Sequence, residues 1–65
     1  MALLLLSATD VAIALAAQSG TLRISAQTGR FGAFASIEDD RGLIEVTASV
    51  EEAESRVAAI RERAR

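Results

Sequence analysis

Three consecutive segments between Thr21 and Ala48 alternate apolar and polar residues, and this period of two constrains the fold more than any other feature of the sequence. Such alternation is typical of half-buried β-strands, in which successive side chains point to opposite faces of a sheet. Glycine-containing turns at residues 27–30 and 39–42 separate the segments. The pattern predicts a three-stranded antiparallel meander with one apolar face.

A helix is predicted before the first strand. Ser7 supplies a capping oxygen and Asp10 follows three residues later, while Gly20 stands where a helix would end in a left-handed residue. This places a helix at about residues 8–18. Residues 2–6 fit either a short strand or a further helical turn, because periodicity does not separate the two over so short an apolar run.

A second helix is predicted after the last strand. Ser49 and Glu52 form a capping box, and Glu52 and Arg56 are spaced as an i,i+4 ion pair. Four apolar residues at helical spacing form one stripe that is expected to pack on the sheet: Val50, Ala53, Val57 and Ile60.

The predicted fold class is therefore α+β, with an N-terminal helix and a capped C-terminal helix packed on one face of a three-stranded antiparallel meander. Residues 1–65 are expected to form a single domain. A core this thin, without disulfides, also predicts self-association as a homodimer. The expected core residues are Leu15, Leu22, Ile24, Phe31, Ile37, Ile44, Val46, Val57 and Ile60.

The composition argues against an enzyme. The chain has no His, Cys or Tyr, and all seven of its basic residues are Arg, so the usual nucleophile and base pairings are missing. The acidic run at residues 38–40 does not have the spacing of a calcium-binding loop. We expect neither a catalytic site nor a bound cofactor or metal.

The first half of the chain does not fit a membrane or export signal. No basic residue precedes Arg23, and Asp10 interrupts the apolar run that begins at Ala2. We therefore expect a cytoplasmic protein with no membrane partner.

Negative charge is concentrated in one segment. Seven of the nine carboxylates lie within residues 38–54, where Arg41 is the one basic residue. The carboxylates predicted to bind a partner are Glu38, Asp39, Asp40, Glu45, Glu51, Glu52 and Glu54.

This charge distribution is typical of a surface that imitates a phosphate track and occupies a nucleic-acid-binding groove. In size, acidity and α+β character, with its acids at residues 38–40, 45 and 51–54, the chain resembles the small anti-CRISPR proteins of phages and mobile elements. The resemblance implies a non-enzymatic inhibitor that binds a CRISPR effector in the host cytoplasm and blocks target DNA.

Two other functions remain open. The first is a structural or regulatory interaction module, antitoxin-like or part of phage assembly, that binds through Phe34, Leu43 and residues 3–6. The second is a weak nucleic-acid binder that uses the Arg-rich end. The element order resembles that of double-stranded RNA-binding domains, but the acids at residues 51–54 would repel phosphate there, so we expect no direct nucleic-acid partner. The basic residues of that end are Arg56, Arg61, Arg63 and Arg65.

Overall fold

The structure, a computed structural model, describes residues 7–64. Its elements are helix α1 (Ala8–Ser19), strands β1 (Arg23–Gly29), β2 (Gly32–Asp39) and β3 (Gly42–Thr47), and helix α2 (Val50–Arg63). The strands form one antiparallel sheet in the order β1-β2-β3, which confirms the predicted α+β meander. The alternatives for residues 2–6 lie outside the described residues.

Both helices begin at the predicted capping residues. Ser7 Oγ accepts a hydrogen bond from the Asp10 amide at 3.1 Å, and the Asp10 carboxylate accepts one from the Ser7 amide at 3.2 Å. Gly20 ends α1 with φ at 76°. At the start of α2, Ser49 Oγ accepts a hydrogen bond from the Glu52 amide at 3.0 Å. These bonds satisfy amides that the helices cannot pair internally.

The helices cover one face of the sheet. Helix α2 contacts all three strands, and α1 contacts β3 and α2. The buried stripe of α2 is the predicted one, with Val50 half-buried at its start. Leu22, Ile24 and Ile44 are partly buried against the core. The buried apolar residues are Ile13, Ala16, Ala35, Ile37, Ala53, Val57 and Ile60.

The prediction that Leu15 belongs to the core is wrong. Its side chain is 57% exposed, whereas Ile13 and Ala16 are buried. Ile13 and Ala16 are three residues apart and share a helix face, while Leu15 lies about 200° around the axis from Ile13. Helix α1 therefore packs through a narrow face made of one isoleucine and small residues.

The prediction for Phe31 is also wrong, because the first turn lies further along the chain than residues 27–30. Strand β1 continues to Gly29, which pairs with Gly32, and the turn residues are Arg30 and Phe31. The positive φ of 120° falls at Gly32 and not at Gly29. Phe31 lies at the turn with its side chain 97% exposed.

A β-bulge interrupts the pairing of β2 with β3. Glu38 pairs with Leu43, but the next pair joins Ile37 to Glu45. Ile44 lies between them without a partner on β2. One extra residue on one strand is the defining feature of a bulge, and it shifts the alternation of side chains beyond it.

The bulge explains why the core prediction for Val46 is wrong. Paired residues share a face, so Glu45 and Thr47 lie on the face that the helices cover, opposite Ile37 and Ala35. Thr47 is buried, and Val46 is 51% exposed on the other face. Apolar and polar residues alternate without interruption in the sequence of β3. In the structure, the side chains do not alternate between the two faces of the sheet across the bulge.

Candidate functional site

The seven carboxylates predicted to bind a partner lie before, within and after β3. Glu38 and Asp39 are the last two residues of β2, Asp40 lies in the turn that follows, and Glu45 lies within β3. The other three, Glu51, Glu52 and Glu54, lie in the first turns of α2. The six residues of β3 span roughly 20 Å. The acidic segment is thus two separate groups at opposite ends of the sheet, with one residue between them.

Glu38 is held within a polar network on the face of the sheet away from the helices. Its carboxylate accepts hydrogen bonds from Ser25 Oγ at 3.4 Å and Ser36 Oγ at 3.2 Å. Arg23 Nε lies 3.9 Å from Glu38 Oε1. Gln27 donates to Ser36 Oγ at 3.4 Å. These partners occupy much of the carboxylate's hydrogen-bonding capacity.

The two aspartates of the second turn differ in role. Asp39 Oδ1 accepts hydrogen bonds from the amides of Arg41 at 2.9 Å and Gly42 at 3.2 Å, so this side chain shapes the turn. Asp40 is exposed, and within residues 7–64 its carboxylate forms no hydrogen bond or ion pair. Of the predicted residues at this end, Asp40 has the most available carboxylate.

Glu45 is bound by an arginine of the same chain. Arg56 Nε donates to Glu45 Oε2 at 2.6 Å, and Arg56 Nη2 donates to Oε1 at 2.8 Å. The same Nη2 donates to Asp10 Oδ1 at 2.6 Å. The predicted pair between Arg56 and Glu52 is wrong, because Arg56 extends toward β3 and α1. These three side chains, which we call the Arg56 cluster, connect α1, β3 and α2.

The Arg56 cluster alters the ionisation of its members. The hydrogen bond from Arg56 lowers the pKa of Asp10, and the bond from the Ser7 amide lowers it further. The hydrogen bond from Arg56 also lowers the pKa of Glu45, while the bond to Glu45 raises the pKa of Arg56. Both carboxylates are thereby stabilised in their charged form. Glu45 serves here as an internal ion-pair partner.

The carboxylates at the start of α2 are more accessible. Glu52 Oε2 accepts a hydrogen bond from the Ala48 amide at 3.2 Å and not from the Ser49 amide, so only the Ser49 half of the predicted capping box forms. Glu51 and Glu54 are exposed, and their carboxylates form no hydrogen bond or ion pair within residues 7–64. This end of the molecule holds the larger share of available negative charge.

The uncovered face of the sheet carries apolar side chains that sequence reasoning assigned only in part. Leu43 is 62% exposed and Val46 is 51% exposed, both on β3. Phe34 is half-buried on β2. Phe34 and Leu43 were predicted to lie on this face, whereas Val46 reaches it through the bulge. We call these three residues and the network around Glu38 the open face.

The Phe34 ring lies beside Gly29 on the neighbouring strand. A Cβ atom built on Gly29 would come within 3.0 Å of Phe34 Cε1, so a larger residue there would displace the ring. The pairing places Gln27 directly across from Phe34, with Gly29 diagonal to it. The glycine thus allows an aromatic ring to lie along the open face instead of standing away from it.

Sequence reasoning missed Asp10 and Arg56 as a linked pair. Their hydrogen bond joins residues 46 positions apart, and each residue already had a sufficient local explanation, in a helix cap and in an i,i+4 pair. A weak signal did exist, because Asp10 is the one acidic residue before Glu38. An isolated buried acid needs a cation, and the sequence does not say which arginine supplies it.

Within residues 7–64, neither helix has the length and hydrophobicity that a bilayer span requires. In the same part of the chain, no three acidic side chains are grouped so as to hold a metal ion. The chain matches no protein-family model, no curated protein sequence and no solved structure.

Proposed function

We propose that this protein binds another protein through the open face and carries out no reaction itself. The observation that carries the proposal is the β-bulge at Ile44, which turns Val46 outward beside Leu43. The proposal follows the predicted interaction module more closely than the predicted acidic mimic, because Glu38 and Glu45 already have partners within the chain.

The bulge reverses which of two neighbouring side chains, Glu45 or Val46, faces the helices. Without it, the alternation of Ile44, Glu45 and Val46 would bury the valine and leave the glutamate in water. With it, Val46 is exposed and Glu45 is turned toward the helices, where it requires Arg56. Departures from a consistent local pattern are common at functional positions, and bulges often redirect a side chain there.

The chemistry of the open face defines the partner. The two exposed aliphatic side chains, Leu43 and Val46, lie on β3, and hydrogen-bonding groups from Ser25 and Gln27 lie across the sheet. Protein interfaces have this arrangement, with apolar contacts flanked by polar ones. We expect a partner that presents aliphatic side chains to β3 and polar groups to β1.

The double substitution Leu43→Ser and Val46→Ser tests this surface. It should weaken partner binding by about tenfold or more, because it removes the apolar contacts. Partners recovered by affinity purification of the tagged protein would be identified by mass spectrometry, and their affinities measured by biolayer interferometry. The matched control is Val11→Ser with Leu15→Ser, which alters two exposed aliphatic residues of α1. Equal losses in both variants, or none in the first, would contradict the proposal.

A second candidate function is the predicted inhibition of a nucleic-acid-binding complex such as a CRISPR effector. The observation that favours it is the availability of Asp40, Glu51 and Glu54, which have no partner within the described residues. A basic groove would attract these carboxylates over a distance and accelerate association. Such an inhibitor would act in the cytoplasm, where the effector meets DNA.

The double substitution Asp40→Asn and Glu51→Gln tests this candidate, because it neutralises both carboxylates. Neither carboxylate supports the fold through a hydrogen bond within residues 7–64, so the variant should remain folded. We expect slower association with a guide-loaded CRISPR effector, by about threefold to tenfold at low salt and less at high salt. Arg30→Gln, which removes an exposed positive charge, should not slow association. Unchanged, salt-independent kinetics would exclude this mode of binding.

A further inference from the structure

Strand β1 is an edge strand whose outer side has no strand partner within residues 7–64. The sheet order leaves β1 and β3 at the edges. The β3 edge carries the bulge and lies beside α1. In contrast, β1 pairs with β2 over seven consecutive residues without irregularity. Its one charged residue, Arg23, is at its first position, and the other six residues are uncharged.

A groove runs between β1 and α2 along this edge. Its apolar part is formed by Leu22, Ile24, Val57 and Ala58, and its charged residues are Glu54 and Arg61. Glu54 and Arg61 are seven residues apart on α2, so they share a helix face and lie roughly 10 Å apart along the axis. The groove thus has an acid toward one end, a base toward the other and apolar side chains between.

We propose that the groove between β1 and α2 binds a second copy of this chain, in a two-fold symmetric dimer that places the two α2 helices antiparallel across the start of the two β1 edges. A two-fold axis beside Ala58, midway between the charges, brings Glu54 of each copy opposite Arg61 of the other. Two-fold symmetric interfaces must be self-complementary in this way. Leu22, Ile24 and Ala58 then lie at the centre of the contact.

The charge pattern selects a second copy over other occupants. A basic or acidic partner would find one favourable charge in the groove and one unfavourable charge. A second copy in the antiparallel orientation satisfies both charges twice. Helix α2 contacts β1 as well as β2 and β3, so the two α2 helices would face each other on either side of the axis. Dimerisation also adds apolar contacts to a small core.

Charge reversal on α2 tests the dimer, with mass measured by light scattering and sedimentation equilibrium on the full chain. The parent should approach about twice 6.8 kDa as concentration rises. Glu54→Arg or Arg61→Glu alone should raise the dimer dissociation constant by about tenfold or more, because two attractive pairs become repulsive. Combining the two substitutions should restore the parent value. Arg63→Glu, about 200° around the helix from Arg61, should have little effect.

Cysteine cross-linking tests the position of the axis, because the chain has no Cys of its own. Ala58→Cys should form an intermolecular disulfide under mild oxidation. Ala59→Cys, which is also exposed but lies outside the groove, should cross-link far less. A monomer at every concentration would overturn the proposal. So would a dimer that both charge reversals leave unchanged, since another contact, such as one made by residues 1–6, would then hold it. The mass readout is independent of the open face and of any partner.

Discussion

Replacing Arg56 with methionine should lower the free energy of unfolding by about 2–3 kcal/mol at about pH 7, a large fraction of the stability of a domain this small. The substitution keeps much of the apolar stem but removes the cation shared by Asp10 and Glu45. The Asp10 side chain is only 8% exposed, and that of Glu45 is 24% exposed. Two partly buried carboxylates would then face each other without a counter-charge.

The difference in unfolding free energy between parent and variant should depend on pH. Acid weakens a stabilising interaction in the parent, whereas it relieves a repulsion in the variant. In the parent, Arg56 lowers the pKa of both carboxylates below their unfolded values. Their stabilising contribution is therefore present above about pH 5 and is lost as pH falls through the folded-state pKa values. In the variant the lowering of both pKa values by Arg56 is lost, while burial and, for Glu45, the charge of Asp10 still favour the protonated form. Acid should therefore protonate the pair more readily and relieve the repulsion.

Urea unfolding followed by circular dichroism at about pH 7 and about pH 4 measures this difference. The gap between parent and variant should be largest at the higher pH and narrow at the lower one. Arg63→Met, an exposed position in the last turn of α2, should change the unfolding free energy by less than about 0.5 kcal/mol. A gap of the same size at both pH values would mean that Arg56 acts through packing and not through charge.

Much of the fold was predictable because its signals are local. The caps at Ser7 and Ser49 set where the helices begin, and the second turn follows from Asp39 and Gly42. Each of these features is determined within four residues of sequence, and the structure confirms each of them. Local hydrogen bonds of this kind require no knowledge of the rest of the molecule.

The bulge and the Arg56 cluster were not predictable, because they depend on contacts between residues that are distant in the sequence. The alternation around Ile44 is regular, and the extra residue becomes apparent only when the strand is paired with β2. Arg56 selects Glu45 and Asp10, which are 11 and 46 residues away, over its helical neighbour Glu52. Both outcomes depend on how the helices lie on the sheet. Whether a carboxylate is available to a partner depends on the same contacts, so an acidic segment does not by itself define a site.

Replacing Ile37 with alanine should cost about 3–4 kcal/mol, the largest effect expected from a single apolar side chain of the sheet. Ile37 is fully buried on the central strand, opposite Ile24 on β1 and Glu45 on β3. Its loss would leave a cavity beneath the helices that the surrounding side chains could fill only in part. Thermal and urea unfolding of the purified variant would measure the cost.

Val46→Ala is the matched comparison, because the period of two assigns Val46 to the same apolar face as Ile37. The bulge places Val46 on the open face, 51% exposed, so its truncation should cost less than about 1 kcal/mol. If Val46→Ala destabilised the protein as much as Ile37→Ala, the strand would be paired without a bulge. Val46 would then lie beneath the helices, Glu45 would not meet Arg56, and the open face would lose the residue on which its proposed function rests.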